Sequence, residues 1–246
     1  MNIETRLSAP GGGAPALDPR AVKLTVDDFL LLKQSGTFAG FSKSELLSGA
    51  LLGVPLQGED EPESDASIPI KLRVRDYLLL DGAGAFKSYA KTELIDGVVY
   101  EVSPQYRPHG FVKDELSYRL RRSLEALKSP LHVATEQSVQ VAPHSEPQPD
   151  VILTAKPRGP GAIPVESVAL VVEVAATTRN FDLNDKARVY AAAEIPEYWV
   201  ADVNGRVIHQ MWAPERDTYA ERRETAFGEQ VEAATIEGLA VETGGI

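Results

Sequence analysis

Asp150, Glu173 and Lys186 are the side chains whose types and spacing point to chemistry. Asp150 follows a proline and enters the apolar run VILTA, Glu173 is the one acid in VALVVEVAA, and Lys186 lies in the segment after it. Between the two runs, RGPGAIP carries the glycines and prolines of a turn, so the runs read as an antiparallel hairpin bending near Gly161. With arms symmetric about that bend, the numbers of facing residues sum to a constant, and Asp150 stands opposite Glu173. Like charges facing each other on a sheet are destabilising unless something cationic lies between them. A hard divalent ion is the natural candidate. Oxygen ligands from Asp, Glu, a strand carbonyl and water suit magnesium, which needs only one or two protein carboxylates.

The lysine must come from a helix. In FDLNDKARVYAAAE, Leu183, Ala187, Tyr190 and Ala191 recur at helical spacing, with Asp182 expected as the N-cap of a helix over 182–194. Lys186 lies inside that stripe and is turned toward the sheet. Its stem can pack on the sheet edge while the ammonium snorkels out to water. Alternatively, the ammonium reaches the carboxylate pair, where it holds or deprotonates a water or offsets charge on a phosphoryl transition state.

Three blocks carry a wider resemblance: TELIDGVVYEVSP at 92–104, PDVILTA at 149–155 and VVEVAATTRNFDLNDKARVYAAAEIPEYWVAD at 171–202. In order and spacing they resemble the Uma-type restriction endonuclease family of the PD-(D/E)XK nuclease superfamily, over roughly residues 70–240. The resemblance implies an α/β fold with a restriction-endonuclease-like central mixed β-sheet flanked by helices. It maps the metal-binding acids to Asp150 and Glu173 and the active-site lysine to Lys186, with Mg2+ or Mn2+ as cofactor and DNA as substrate. Glu93 and His109 lie where the family places polar residues. The chain departs from the superfamily pattern at Ala175, two residues after the second acid, where a lysine is usual; the resemblance assigns that role to Lys186. The implied reaction is metal-assisted hydrolysis of a phosphodiester.

The remaining elements frame this site. A helix near 109–127 has Val112, Leu116, Leu120 and Leu124 on one stripe, with Lys113, Arg121 and Arg122 on the remainder. Strands are expected near 131–141, 149–155, 168–175 and 197–203, followed by a hairpin with VIHQMWA and DTYAERR as arms. Glu136 and Gln137 are adjacent on the first of these strands, so one of them points toward the site.

The formal net charge of −11 argues against a broad nucleic-acid-binding surface. It leaves open a rival reading, a catalytically inactive binding or regulatory module with the same fold. With no cysteine, disulfides, thiolate zinc sites and a thiol nucleophile are excluded. No apolar run is long enough to span a membrane and the start lacks the apolar block of a signal peptide, so a cytoplasmic protein without membrane partners is expected.

Residues 22–54 align without gaps on residues 70–102, with 14 of 33 positions identical. The expected organisation is therefore a disordered tail at 1–21, an accessory partial duplicate at 22–55, an acidic linker at 56–69 and the nuclease-like domain at 70–246. The first copy has Ser48 where the second has Asp96. Its leucines at 30–32 must be covered by the same molecule or by another chain, the latter giving a homo-oligomer.

Overall fold

Strands buried on both faces read as unbroken apolar runs, whereas helices that cover them show one apolar stripe. In the computed structural model, which describes residues 18, 20–57, 66–102, 105–141 and 143–246, both patterns are realised. The chain divides into two units, residues 1–70 and 71–246. Most of the expected N-terminal tail and of the acidic linker lies outside the described residues.

In the first unit, helix α1 (Val26–Gln34) starts at Thr25, whose hydroxyl receives the Asp28 amide while the Asp28 carboxylate receives the Thr25 amide. Strands β1 (Phe41–Leu47) and β2 (Ala50–Pro55) then form an antiparallel hairpin, and β3 (Ile68–Pro69) pairs with β2. Leu32 is buried and Leu30 is exposed.

The second unit opens with the same sequence of elements: helix α2 (Val74–Ala83) and the hairpin of β4 (Thr92–Ile95) and β5 (Val98–Glu101). The likeness is detailed. The turns Ser48-Gly49 and Asp96-Gly97 both have positive φ, as a two-residue hairpin turn requires. Gly97 must also remain glycine because a Cβ there would lie 2.5 Å from that of Lys71. Phe29 stacks on Phe38 as Tyr77 does on Phe86. The acids differ in setting: the Glu45 side chain is 43% exposed beside Lys43, whereas Glu93 is buried.

The rest of the second unit is built on a six-stranded mixed sheet. Its strands are β6 (His132–Thr135), β8 (Val151–Thr154), β10 (Val168–Ala175), β11 (Glu197–Asp202), β12 (Val207–Glu215) and β13 (Thr218–Ala226), in the order β13-β12-β11-β10-β8-β6. Only β10 and β11 run parallel. A helical crossover joins them: α4 (Arg179–Phe181), a π-helical turn (Asp182–Lys186) and α5 (Ala187–Ala192). Strand parity then sorts the core. Ile152, Val171, Tyr198 and Val200 face the crossover with Tyr190, while Val151, Leu153, Leu170, Val172 and Trp199 face α3 (Arg107–Ala126) through Leu116 and Leu120. A small pair, β14 (Gln230–Glu232) and β15 (Ala240–Glu242), adds Val231 and Val241 on the α3 side.

Three expectations are corrected. The strand expected at 131–141 is broken, because Glu136 has φ 53° and the chain leaves the sheet there. Its second part is β7 (Val139–Gln140), which pairs in parallel with β9 (Ile163–Pro164) outside the main sheet. The connection between β8 and β10 is accordingly no simple turn but contains β9 and a 3-10 turn at Val165–Ser167. Asp182 is not an N-cap: it lies within the helical crossover with α-helical backbone angles, and its buried carboxylate receives the Thr178 hydroxyl at 2.6 Å. Among the described residues, no helix is long and apolar enough to cross a membrane.

Candidate active site

The ladder between β8 and β10 fixes the two strand acids. Val151 faces Val172 and Ile152 faces Val171, so the next position along brings Asp150 opposite Glu173, despite an irregularity between Val168 and Leu170. Both have the parity of Ile152 and Val171 and therefore face the crossover helix. Asp150 caps the ladder where β8 begins: its Oδ2 accepts the Val174 amide at 2.8 Å. Both acids are nearly inaccessible, at 6% and 4% exposure.

Lys186 does not snorkel. It is 6% exposed, and its ammonium lies 3.0 Å from Glu173 Oε1 and 3.0 Å from Glu93 Oε1. The π-helical turn places it there; such wide turns, with i→i+5 hydrogen bonding, recur at functional sites. The Tyr190 hydroxyl, one turn later, donates to the same Glu173 oxygen at 2.8 Å. Glu93 arrives on the β4–β5 hairpin, which is pinned in two ways. Asp96 in its turn is held by Lys71 and Arg188, each at 2.7 Å, and Leu94 bridges Glu146. Glu93 Oε2 also accepts the Gln148 amide.

On the other side of Asp150, α3 contributes His109, whose Nε2 is 3.3 Å from Asp150 Oδ2 and whose buried Nδ1 has no partner among the described residues. Gln105 donates to Asp150 Oδ1 at 2.9 Å and accepts from Lys113, whose ammonium also meets Glu136 at 2.6 Å. Of the pair Glu136 and Gln137, it is thus Glu136 that reaches this network. The structure brings Asp150, Glu173, Lys186, Glu93 and His109 together.

Tyr190, Asp182, Gln105 and Lys113 complete the surroundings and were not singled out from the sequence as members of the site. Tyr190 carried a usable signal, since a tyrosine in an apolar stripe needs a partner for its hydroxyl. Gln105 carried none, because it lies in a loop without periodicity.

The electrostatics follow from one buried ammonium among Glu93, Asp150, Glu173 and Asp182. Burial works against the charge on Lys186, but Glu173, Glu93 and Asp182 outweigh it and hold the ammonium protonated well above the usual lysine range. The acids then share too little positive charge. Burial pushes Glu173 up to about 8 against the pull of Lys186, and Asp150, Asp182 and Glu93 push the same way. Asp182 is pushed up to about 6, again chiefly by burial. For Asp150 burial is outweighed by the hydrogen bond and charge of His109, the Val174 amide and Lys186, and its carboxyl is held below the ordinary range. Glu173 therefore retains a proton at neutral pH while Asp150 is ionised.

Among the described residues, no group of three His, Cys, Asp or Glu side chains forms a ready cage for a metal. The donor set nevertheless fits a cation that keeps much of its water. Asp150 and Glu173 offer hard oxygens from facing positions, and Glu173 takes both of its donors on Oε1.

The mixed sheet flanked by helices thus gathers acids and a buried lysine where its central strands meet. The chain belongs to the Uma2 family, described as putative restriction endonuclease, whose model matches residues 74–244. Among solved structures, the chain is similar to a putative nuclease belonging to DUF820 from Anabaena variabilis ATCC 29413. Identity is 11% and the TM-score 0.44, over 58% of this chain and 80% of that one. No curated protein matches the chain.

Proposed function

We propose that residues 70–246 form a divalent-metal-dependent endonuclease that hydrolyses phosphodiester bonds in DNA. The observation that carries this reading is the buried ammonium of Lys186 shared between Glu93 and Glu173, beside the facing Asp150. A structural ion pair of this burial is seldom worth its desolvation, which favours a role in chemistry. Asp150 and Glu173 are the assigned ligands of Mg2+ or Mn2+, and when bound the ion would activate water and neutralise charge on the phosphate.

Lys186 acts as a cation rather than a base, because its neighbours hold it protonated. It orients the attacking water and offsets charge as the phosphorus becomes five-coordinate. Glu93 and Tyr190 keep the ammonium and the Glu173 carboxyl in place. His109 holds Asp150 ionised and oriented through Nε2. Ala175 is no obstacle to this scheme, since the lysine is supplied from the crossover helix.

Incubation of supercoiled plasmid with the protein and Mg2+ or Mn2+ should give nicked product, and Asp150→Ala should abolish it. Plasmid left intact by the wild type, under conditions where it is folded, would overturn the assignment in favour of an inactive module.

Residues 22–55 are assigned as an accessory copy, since the counterpart of Glu93 in it, Glu45, is exposed and pairs with Lys43 instead of a buried lysine. Deleting residues 1–68 should leave the calorimetric affinity for Mn2+ unchanged while altering assembly state or solubility. Loss of metal binding in an otherwise folded truncation would show that the first copy belongs to the site.

A further inference from the structure

We propose that a cationic track along one flank of α3, ending in a groove beside edge strand β6, docks the phosphate backbone of DNA at a distance from the reaction centre; DNA as the occupant rests on the nuclease reading above. The track begins in the site, where Lys113 bonds Gln105 and Glu136. Ser117 and Arg121 follow at four-residue steps on one flank of the helix, and Lys128 stands just past its C-terminal end, where the backbone has a positive φ. At the far end is a groove of about 550 Å³, whose charged lining is Arg121, Lys128, Arg158 and the single acid Glu125, with His132 beside them.

Two observations identify phosphate as the partner. The chain has 36 acids against 25 basic residues, and several of the basic residues are held by acids, as Lys71, Arg119, Arg179, Lys186 and Arg188 are. Among the described residues, Arg121, Lys128 and Arg158 have no ion-pair partner, so three exposed cations in an acid-rich protein converge on one concavity that holds a single acid, Glu125. Complementing the dipole at the C-terminal end of α3 would account for Arg121 and Lys128. It does not account for Arg158, which comes from the segment after β8. From Lys113 to Arg121 the helix rises about 12 Å, the axial span of about three to four phosphates on one strand.

The test is equilibrium binding of a 20-base-pair duplex to the full chain in chelator, at several salt concentrations. Arg121→Gln/Arg158→Gln should bind more weakly and show a log–log salt slope shallower by nearly 2, about one for each lost phosphate contact. The comparison variant is Arg216→Gln/Arg222→Gln, an equal charge change whose sites lie at the turn into β13 and on β13, the opposite edge of the sheet; its slope should match the wild type. A slope unchanged in the first variant, or equally changed in both, overturns the track, as does a wild type that binds no duplex. Earlier melting of the first variant with an unchanged slope would mean that these cations serve only the end of α3. The two readings separate: groove-dependent binding without plasmid nicking by the wild type keeps the track and removes the nuclease, and nicking with an unaffected slope does the reverse.

Discussion

Replacing Lys186 by methionine should lower the rate of plasmid nicking by about a hundred- to a thousandfold, the loss typical of removing one group that meets charge developing in a transition state. It should also destabilise the fold. Methionine preserves the stem but leaves Glu93 and Glu173 facing each other in a site where both are buried, and breaking a buried ion pair from one side costs about 3–5 kcal/mol. Urea unfolding at pH 9 should show that loss, and at pH 5 the loss should be smaller, since the carboxyls then carry protons instead of unpaired charge. Adding Glu93→Gln to Lys186→Met should restore part of the stability and none of the nicking. Wild-type nicking and wild-type stability in the single variant would together remove Lys186 from the site.

Binding of magnesium or manganese should release close to one proton per ion at pH 7 and tighten about tenfold per pH unit up to about pH 8. The cause is Glu173, pushed up to about 8, chiefly by burial. Its folded pKa lies above its ordinary value, so at pH 7 it holds a proton that a cation must displace, and above pH 8 the proton is already gone. The metal-free protein follows the opposite trend. Between about 4.5 and 8 the folded state binds more protons at Glu173 than the unfolded state does, so stability falls as pH rises through that window. Calorimetric titrations in two buffers of different protonation enthalpy check this; identical heats in both would show that no proton leaves.

Much of this geometry was legible in the sequence, for reasons that can be traced to particular residues. The facing of Asp150 and Glu173 could be read because VILTA and VALVVEVAA are unbroken apolar runs about a Gly-Pro segment, and strand parity leaves little freedom once two such runs pair. Helix α3 was readable from Val112, Leu116, Leu120 and Leu124. The break at Glu136 was not, because a positive φ at a non-glycine residue is imposed by tertiary contacts, here the Pro149 and Asp150 carbonyls that accept its amide. The burial of Lys186 was equally hidden: periodicity turned it toward the sheet but could not say whether acids or water awaited it. Glu93 completes the ion pair from a hairpin distant in sequence, and nothing local to Lys186 announces it.

The wide turn at Asp182–Lys186 makes chain length, rather than composition alone, the quantity on which the centre depends. A π turn accommodates one residue more than an α turn, and each residue of an α-helix advances the azimuth by about 100°. Losing a single residue between Asp182 and Lys186 would leave every charged side chain around the ammonium in the sequence yet rewind the helix, carrying Lys186 out of line with Glu93 and Glu173. For this domain a one-residue indel in that turn is a lesion that displaces the centre even when Lys186 itself is kept.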